Sequence, residues 1–197
     1  MTEPDQDHRH PDRPALVLAA EESARIREFP LSCEPGVGRL LAVLAGAVPT
    51  GGRILELGTG AGVGAAWIAS ALARPGDVAF TTIERDADLA AGNTELPWPD
   101  GIDFRIGDNE ELLPTLGTFD LIFADAAGGK WTGLSDTLAA LRPGGILLVD
   151  DMDPTRATHP DHRQALDAVR TTLTTHSDLL TADLPTAGGM ILATRRR

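Results

Sequence analysis

The sequence predicts an α/β domain: a seven-stranded, mostly parallel sheet with an antiparallel last strand and helices on both faces. Three observations predict it. Apolar, β-forming runs alternate with helical stretches along most of the chain. The first run, at Ile54, Leu55 and Leu57, is too continuous for a half-exposed strand and suits burial on both faces. The last two runs, residues 178–184 and 190–194, are joined only by residues 185–189, whereas a parallel crossover needs roughly a dozen residues or more.

Taken in order, residues 1–14 mix Asp, Pro, His and Arg without periodicity and read as a disordered arm ahead of one domain, residues 15–197. His8 and His10 lie in that arm without the carboxylate or Cys framework of a metal site. Residues 15–28 are amphipathic and helical, and Pro30 stops them. Residues 31–38 (LSCEPGVG) read as a loop and residues 39–48 as a second helix, which completes a lead-in over residues 15–48. Residues 49–52 turn into the first strand, and the helix after it runs from Ala65 to Leu72. Pro75-Gly76 is a stop. Strands follow at residues 78–83, Ile102–Ile106, Phe119–Ala124 and residues 146–149, with helices at residues 86–95, 132–141 and 163–176. Arg142-Pro143-Gly144-Gly145 reads as a helix-to-strand turn, and residues 153–162 read as a loop.

Composition bounds the function. Hydrophobic content of 42% with 23% charged residues is ordinary for a soluble globular protein. No apolar run approaches the roughly 20 residues that span a bilayer, and the N-terminus lacks an apolar signal core. The single cysteine, Cys33, forms no internal disulfide and fits a reducing cytoplasm as a small packing residue. A net charge of −12, with Lys130 the only lysine, argues against nucleic acid as the substrate. The arginines of residues 195–197 read as a solvated tail, and a small molecule is the expected acceptor.

The chemistry is concentrated after the first strand. Gly58, Gly60, Gly62 and Gly64 remove every second Cβ, so backbone N–H groups can approach a ligand at the positive end of the next helix. This is a nucleotide-cofactor cradle. Gly60-x-Gly62-x-x-Ala65 satisfies the dinucleotide pattern, but the same count from Gly58 meets Val63 and breaks it. Glu56 decides between cofactors. A carboxylate two positions before the first glycine would repel a pyrophosphate and suit a sulfonium with an α-ammonium. A buried Glu paired with a neighbouring helix is the structural alternative. Glu84 stands 24 positions beyond Gly60, at the end of the second strand. An acid there matches two vicinal ribose hydroxyls.

Glu56-Leu57-Gly58-Thr59-Gly60-Ala61-Gly62 resembles the first motif, E-[LI]-G-[TC]-G-x-G, of the class I S-adenosylmethionine-dependent methyltransferases. Asp125-Ala126-Ala127-Gly128-Gly129-Lys130-Trp131 resembles the D-A-x-x-G-K-[YW] segment of the catechol-type O-methyltransferases. Residues 32–41 resemble their lead-in, which lies over the cofactor and acceptor. The N/D-P-P-[YF] tetrad of amino-directed enzymes is missing at this point.

The resemblance implies a Rossmann-like cytoplasmic homodimer that methylates a hydroxyl of a small molecule. It implies that Glu56, Gly58, Thr59, Gly60, Gly62, Glu84, Asp108, Asn109 and Asp125 bind S-adenosylmethionine, with Asp108 and Asn109 at the adenine. Asp108 also reads as a helix cap, in a box with Glu111. Asp125, Asp150 and Asp151 match a Mg²⁺ set, with Asp where the family pattern has Asn. Oxygen ligands suit Mg²⁺ or Ca²⁺, and without metal three acids repel. Asp125, Lys130 and His162 are the catalytic candidates, with His159 beside the last of them. Relatives carry Ser where Gly64 stands, which weakens the expected hold on the methionine carboxylate. A catalytically silent S-adenosylmethionine-binding protein, a nicotinamide-dependent oxidoreductase and a protein-interaction role are the other readings.

Overall fold

In a computed structural model that describes residues 13–74, 76–185 and 188–197, the expected arm and both of its histidines fall outside the described residues except for Arg13 and Pro14. Strands β1 (Arg53–Leu57), β2 (Ala79–Glu84), β3 (Ile102–Ile106), β4 (Phe119–Ala124), β5 (Leu141–Val149), β6 (Leu179–Leu184) and β7 (Met190–Arg195) form one sheet. Their order is β3-β2-β1-β4-β5-β7-β6. The first five pair in parallel, and β7 runs antiparallel to both β5 and β6. The chain turns from one half of the sheet to the other between β1 and β4. Ligands of open α/β sheets sit at the carboxyl ends of strands at such a point.

Alternation along the central strands sends successive side chains to opposite faces. Helices α4 (Ala87–Asn93), α5 (Asn109–Leu112) and α6 (Leu134–Ala140) link the parallel strands, and Leu55, Leu57, Ile122, Leu147 and Val149 pack with Leu166, Val169 and Leu173 of α7 (Pro160–Thr175). Ile54, Leu121, Phe123 and Leu148 pack on the other face with α2 (Pro35–Gly46) and α3 (Val63–Ala71). Helix α1 (Ala15–Ile26) closes over α3 through Val17, Ala20 and Ala24. Asp120, the one charge in β4, is explained locally. It accepts from the Arg53 backbone N–H at 2.7 Å and from the Arg142 guanidinium at 2.7 Å, which joins the feet of three strands.

Several boundaries differ from expectation, for two recurring reasons. Both α2 and α7 begin inside segments read as loops, because Pro35 and Pro160 sit in the first turn, where a missing N–H loses nothing. Helix α3 begins at Val63, two residues early, with left-handed Gly62 as its cap. Helix α1 stops before its expected end, since Glu28 has φ 52° and breaks the helix ahead of Pro30. The residues Arg142–Gly145 are not a turn between elements. They form an irregularity within β5, whose register against β4 passes from Phe119↔Leu141 to Leu121↔Ile146. Nor are residues 195–197 a free tail: Arg195 ends β7 and donates to the Leu141 carbonyl at 2.6 Å, and Arg196 donates to the Asp178 carbonyl.

Gly38 on α2 makes the contact between α2 and α3 possible, since a Cβ there would lie 2.1 Å from Trp67 Nε1. Gly38→Ala is expected to destabilise the fold by about 1–3 kcal/mol despite the better helix propensity of Ala. Urea denaturation checks this, and an unchanged or higher midpoint would show that Trp67 moves aside freely.

Candidate functional site

The carboxyl ends of β1, β2, β4 and β5 open into a cavity of about 640 Å³, within the range of small-molecule sites. Beyond β1, the Gly58 and Thr59 N–H groups both donate to the Ile83 carbonyl at 3.0 Å, which folds the glycine turn against the tip of β2. Gly58 has φ +102°, and a Cβ there would lie 2.8 Å from the Asp125 carbonyl. Only glycine combines that conformation with that approach. Glu84 at the end of β2 accepts from the Gly60 N–H at 2.7 Å and from the Asp86 N–H at 2.8 Å. Both its oxygens are therefore held at the rim of the cavity.

Glu56 is 1% exposed within β1. Thr82 donates to its Oε2 at 2.6 Å, and the Thr82 and Thr59 hydroxyls are 2.6 Å apart. These three residues form a buried chain from strand to turn. Burial pushes the Glu56 carboxyl up to about 8; the Thr82 bond opposes this, and the charges of Asp125 and Glu84 add to it. A Cβ at Gly64 would lie 2.4 Å from Glu56 Oε1. The carboxylate occupies the space a serine would need, which accounts for the glycine.

Asp108 caps the short helix α5 (Asn109–Leu112) and accepts from the Glu110 N–H at 2.8 Å; the cap is Asp108 alone, without a return bond from Glu111. Asn109 is buried and donates to the Gly128 carbonyl at 3.0 Å. Among the described residues three buried side-chain atoms lack a partner, Trp67 Nε1, Asn93 Oδ1 and Asn109 Oδ1. Of these residues only Asn109 lines the cavity.

At the opposite end stand Asp125, Asp150 and Asp151, all in the cavity wall. Burial raises the Asp125 carboxyl well above its usual range, with Lys130 opposing and the neighbouring acids adding. Burial also raises Asp150, to about 6, against the Asp151 N–H that donates to it at 2.8 Å. Lys130 is 2% exposed. Its ammonium lies 3.6 Å from Asp151 Oδ2 and 4.0 Å from Asp125 Oδ1, and donates to the Asp150 carbonyl at 3.1 Å. His162 lies elsewhere: it packs edge-on against Trp131 at 5.4 Å and is absent from the cavity lining. His159, exposed, precedes α7 and faces Asp161.

The sequence places residues 32–41 over the site, but not which of their side chains reach the wall or what they meet there. Glu34 and Arg156, 122 positions apart, pair at 3.0 Å in the cavity wall. Phe29 and Cys33 from the lead-in line the same cavity. No spacing in the chain signals a contact of this kind. Burial and the surrounding acids, Asp125 first, raise the Cys33 thiol well above its usual value, so it is held protonated.

Glu56 sets a pH test of this geometry. Its folded value of about 8 stands above the 4.5 of an ordinary Glu. The stability tied to its proton is thus fully present below the unfolded value and is lost as pH rises through the folded one. Ligand-free protein is expected to lose denaturant stability between roughly pH 5 and pH 8, and Glu56→Gln to lose less of it. Parallel pH profiles for the two would contradict a buried, protonated Glu56.

A family model described as a methyltransferase domain matches residues 55–152. A Mycobacteroides abscessus protein assigned as an O-methyltransferase is 31% identical over 196 residues, which cover 91% of this chain and 88% of its own. A catechol O-methyltransferase of Niastella koreensis is 32% identical over 148 residues, 70% of this chain and 66% of its own. The chain spans less than two thirds of the length of most of these curated relatives, 62% for one from Mycolicibacterium vanbaalenii. Among solved structures, the O-methyltransferase TomG of Streptomyces achromogenes, involved in tomaymycin synthesis and solved with S-adenosylmethionine, superposes with a TM-score of 0.78. It is 27% identical, and the match covers 94% of this chain and 92% of TomG. With the glycine turn, Glu56 and the strand-end acids inside or beside the matched segment, the chain belongs to the S-adenosylmethionine-dependent O-methyltransferases.

Proposed function

We propose that this chain transfers a methyl group from S-adenosylmethionine to a hydroxyl of a small molecule. The observation that carries the reading is one continuous cavity whose wall joins the glycine turn, Glu84 and Asn109 to Asp125, Asp150 and Asp151, with the buried Lys130 ammonium against those acids but outside the lining. Glu84 at the rim suits ribose hydroxyls, and Asn109, in the wall with Asp108, suits the base. Glu56, beneath the turn, suits the α-ammonium. Gly58, Thr59 and Gly60 bring backbone to the ligand, Gly62 lies outside the lining and caps α3, and Asp108 and Asp125 flank the ligand.

When bound, the cofactor supplies an electrophilic methyl on a sulfonium. The chain's task is to hold an acceptor oxygen about 3–3.5 Å away and in line, and to receive its proton. Asp125 and Asp150 are the wall carboxylates placed for this. Asp150, at about 6, is ionised near neutral pH and weakly basic enough to act there. Lys130 is a positioning residue: an ammonium offers three donors and no lone pair, and it fixes the strand ends that carry the acids. His162 packs on Trp131 and is not part of the cavity lining. The silent-binder and nicotinamide readings draw no support from the relatives. Assembly as a homodimer and a cytoplasmic location belong to the same proposal; no helix among the described residues is long and apolar enough to cross a membrane.

Purified protein incubated with methyl-labelled cofactor and a panel of phenols is expected to release labelled methyl ethers. Transfer to none of them, with the cofactor bound, would favour the silent binder. Lys130→Met is expected to lower turnover far more than cofactor affinity, and equal losses would remove Lys130 from the reaction centre. Turnover of the wild type is expected to rise with pH through about 6 as Asp150 ionises, and Asp150→Asn to remove that limb. An unchanged profile in Asp150→Asn would assign the proton elsewhere.

A further inference from the structure

The family resemblance implies a divalent ion held by Asp125, Asp150 and Asp151, and the side chains here do not fit one. Among the described residues no group of three or more His, Cys, Asp and Glu is arranged to hold a metal. Asp151 takes a left-handed backbone, φ 57°. Its Oδ1 lies 3.1 Å from where a Cβ on Gly188 would stand, and Arg156 Nη1 is 3.2 Å from the same point. Asp151 pairs with Lys130, and its side chain is 57% exposed. Asp150 Oδ1 is taken by the Asp151 N–H. Asp125 and Asp151 turn instead toward the Lys130 ammonium, where Mg²⁺ demands near-ideal octahedral oxygens at about 2.0–2.1 Å.

A cation already stands among them. The Lys130 ammonium is enclosed by Asp125, Asp151 and the Asp150 carbonyl, with the Trp131 ring 4.5 Å below. Its backbone is pinned by a turn in which Lys130, Trp131 and Thr132 all donate to the Ala127 carbonyl, while the Thr137 hydroxyl donates to the Gly129 carbonyl at 2.7 Å. The ammonium takes up carboxylate charge that a divalent ion would need, and it opposes a second cation beside it. We propose that Lys130 is the resident cation of the acid cluster and that this O-methyltransferase works without a divalent metal. The inference rests on the proposed function, and it narrows that reading to acceptors bound without chelation, for which vicinal hydroxyls are not required.

The test is calorimetric titration of the ligand-free full chain with MgCl₂ or MnCl₂ alone, and separately with S-adenosylmethionine in EDTA or in millimolar Mg²⁺. No saturable heat is expected from either ion, and cofactor affinity is expected to agree within roughly twofold between the two buffers. Lys130→Ala, checked for its native circular dichroism, is expected to bind Mn²⁺ roughly tenfold or more tightly than wild type once the ammonium is gone. Lys130→Arg, which keeps the charge, is expected to stay silent. Saturable Mn²⁺ binding by the wild type overturns the proposal. So does a Lys130→Ala variant as silent as the wild type, because the ammonium would then not be what excludes the ion. Failure to bind S-adenosylmethionine in either buffer speaks instead against the proposed function, and leaves the ion titrations to decide the metal question.

Discussion

A carboxylate buried inside a central strand is the constraint on which the rest of this site depends. Glu56 cannot be removed from water without partners, and the fold supplies them from three directions. Thr82 on β2 donates to it, Thr59 in the turn extends the chain of hydroxyls, and Gly64 on α3 leaves the space its second oxygen fills. The Thr59 end of this chain lies in the glycine turn, so the conformation of the turn is tied to the protonation of the strand beneath it. A cation bound above the turn favours the ionised form that burial disfavours. In the ligand-free protein the carboxyl keeps its proton at neutral pH.

The topology then decides what else can reach the ligand. Because β1 and β4 are neighbours where the strand order reverses, the turn after β1 faces the end of β4 rather than a crossover helix. Gly58 touches the Asp125 carbonyl across that gap. Strand β5, parallel to β4 and in register at Ala124↔Val149, brings Asp150 and Asp151 alongside Asp125. The lead-in closes the remaining side, with Phe29 over Gly60 and Glu34 paired to Arg156. Each wall of the cavity therefore comes from a different part of the chain.

All seven strands were legible in the sequence: the central ones because burial on both faces leaves unbroken apolar runs, the exposed edge strands β3 and β6 from short β-forming stretches between turn signals. The antiparallel end followed from a link too short to cross over. The starts of α2 and α7 were not legible, since proline marks the end of one helix and the first turn of another with equal strength. The interruption at Arg142–Gly145 was legible as a break, though not as one inside a strand, because register belongs to the partner β4 as much as to β5. In the site, the glycine turn, Glu84 and the three acids could be found from motif and spacing. The position of the Lys130 ammonium could not, because it depends on where a long side chain points after a five-residue turn. Gly64 illustrates the same limit. Its departure from relatives looked like a lost contact, and in three dimensions it is the space Glu56 occupies.

The central claim is that the turn above Glu56 is built for a cationic cofactor rather than a pyrophosphate. Calorimetric titration of the wild type and Glu56→Gln with S-adenosylmethionine and with NAD, at neutral pH in two buffers of different ionisation heat, tests it most directly. The account predicts saturable binding of S-adenosylmethionine with proton release, loss of that release in Glu56→Gln, and no binding of NAD. Binding of NAD by the wild type, or S-adenosylmethionine binding that ignores both the buffer and the substitution, would contradict it.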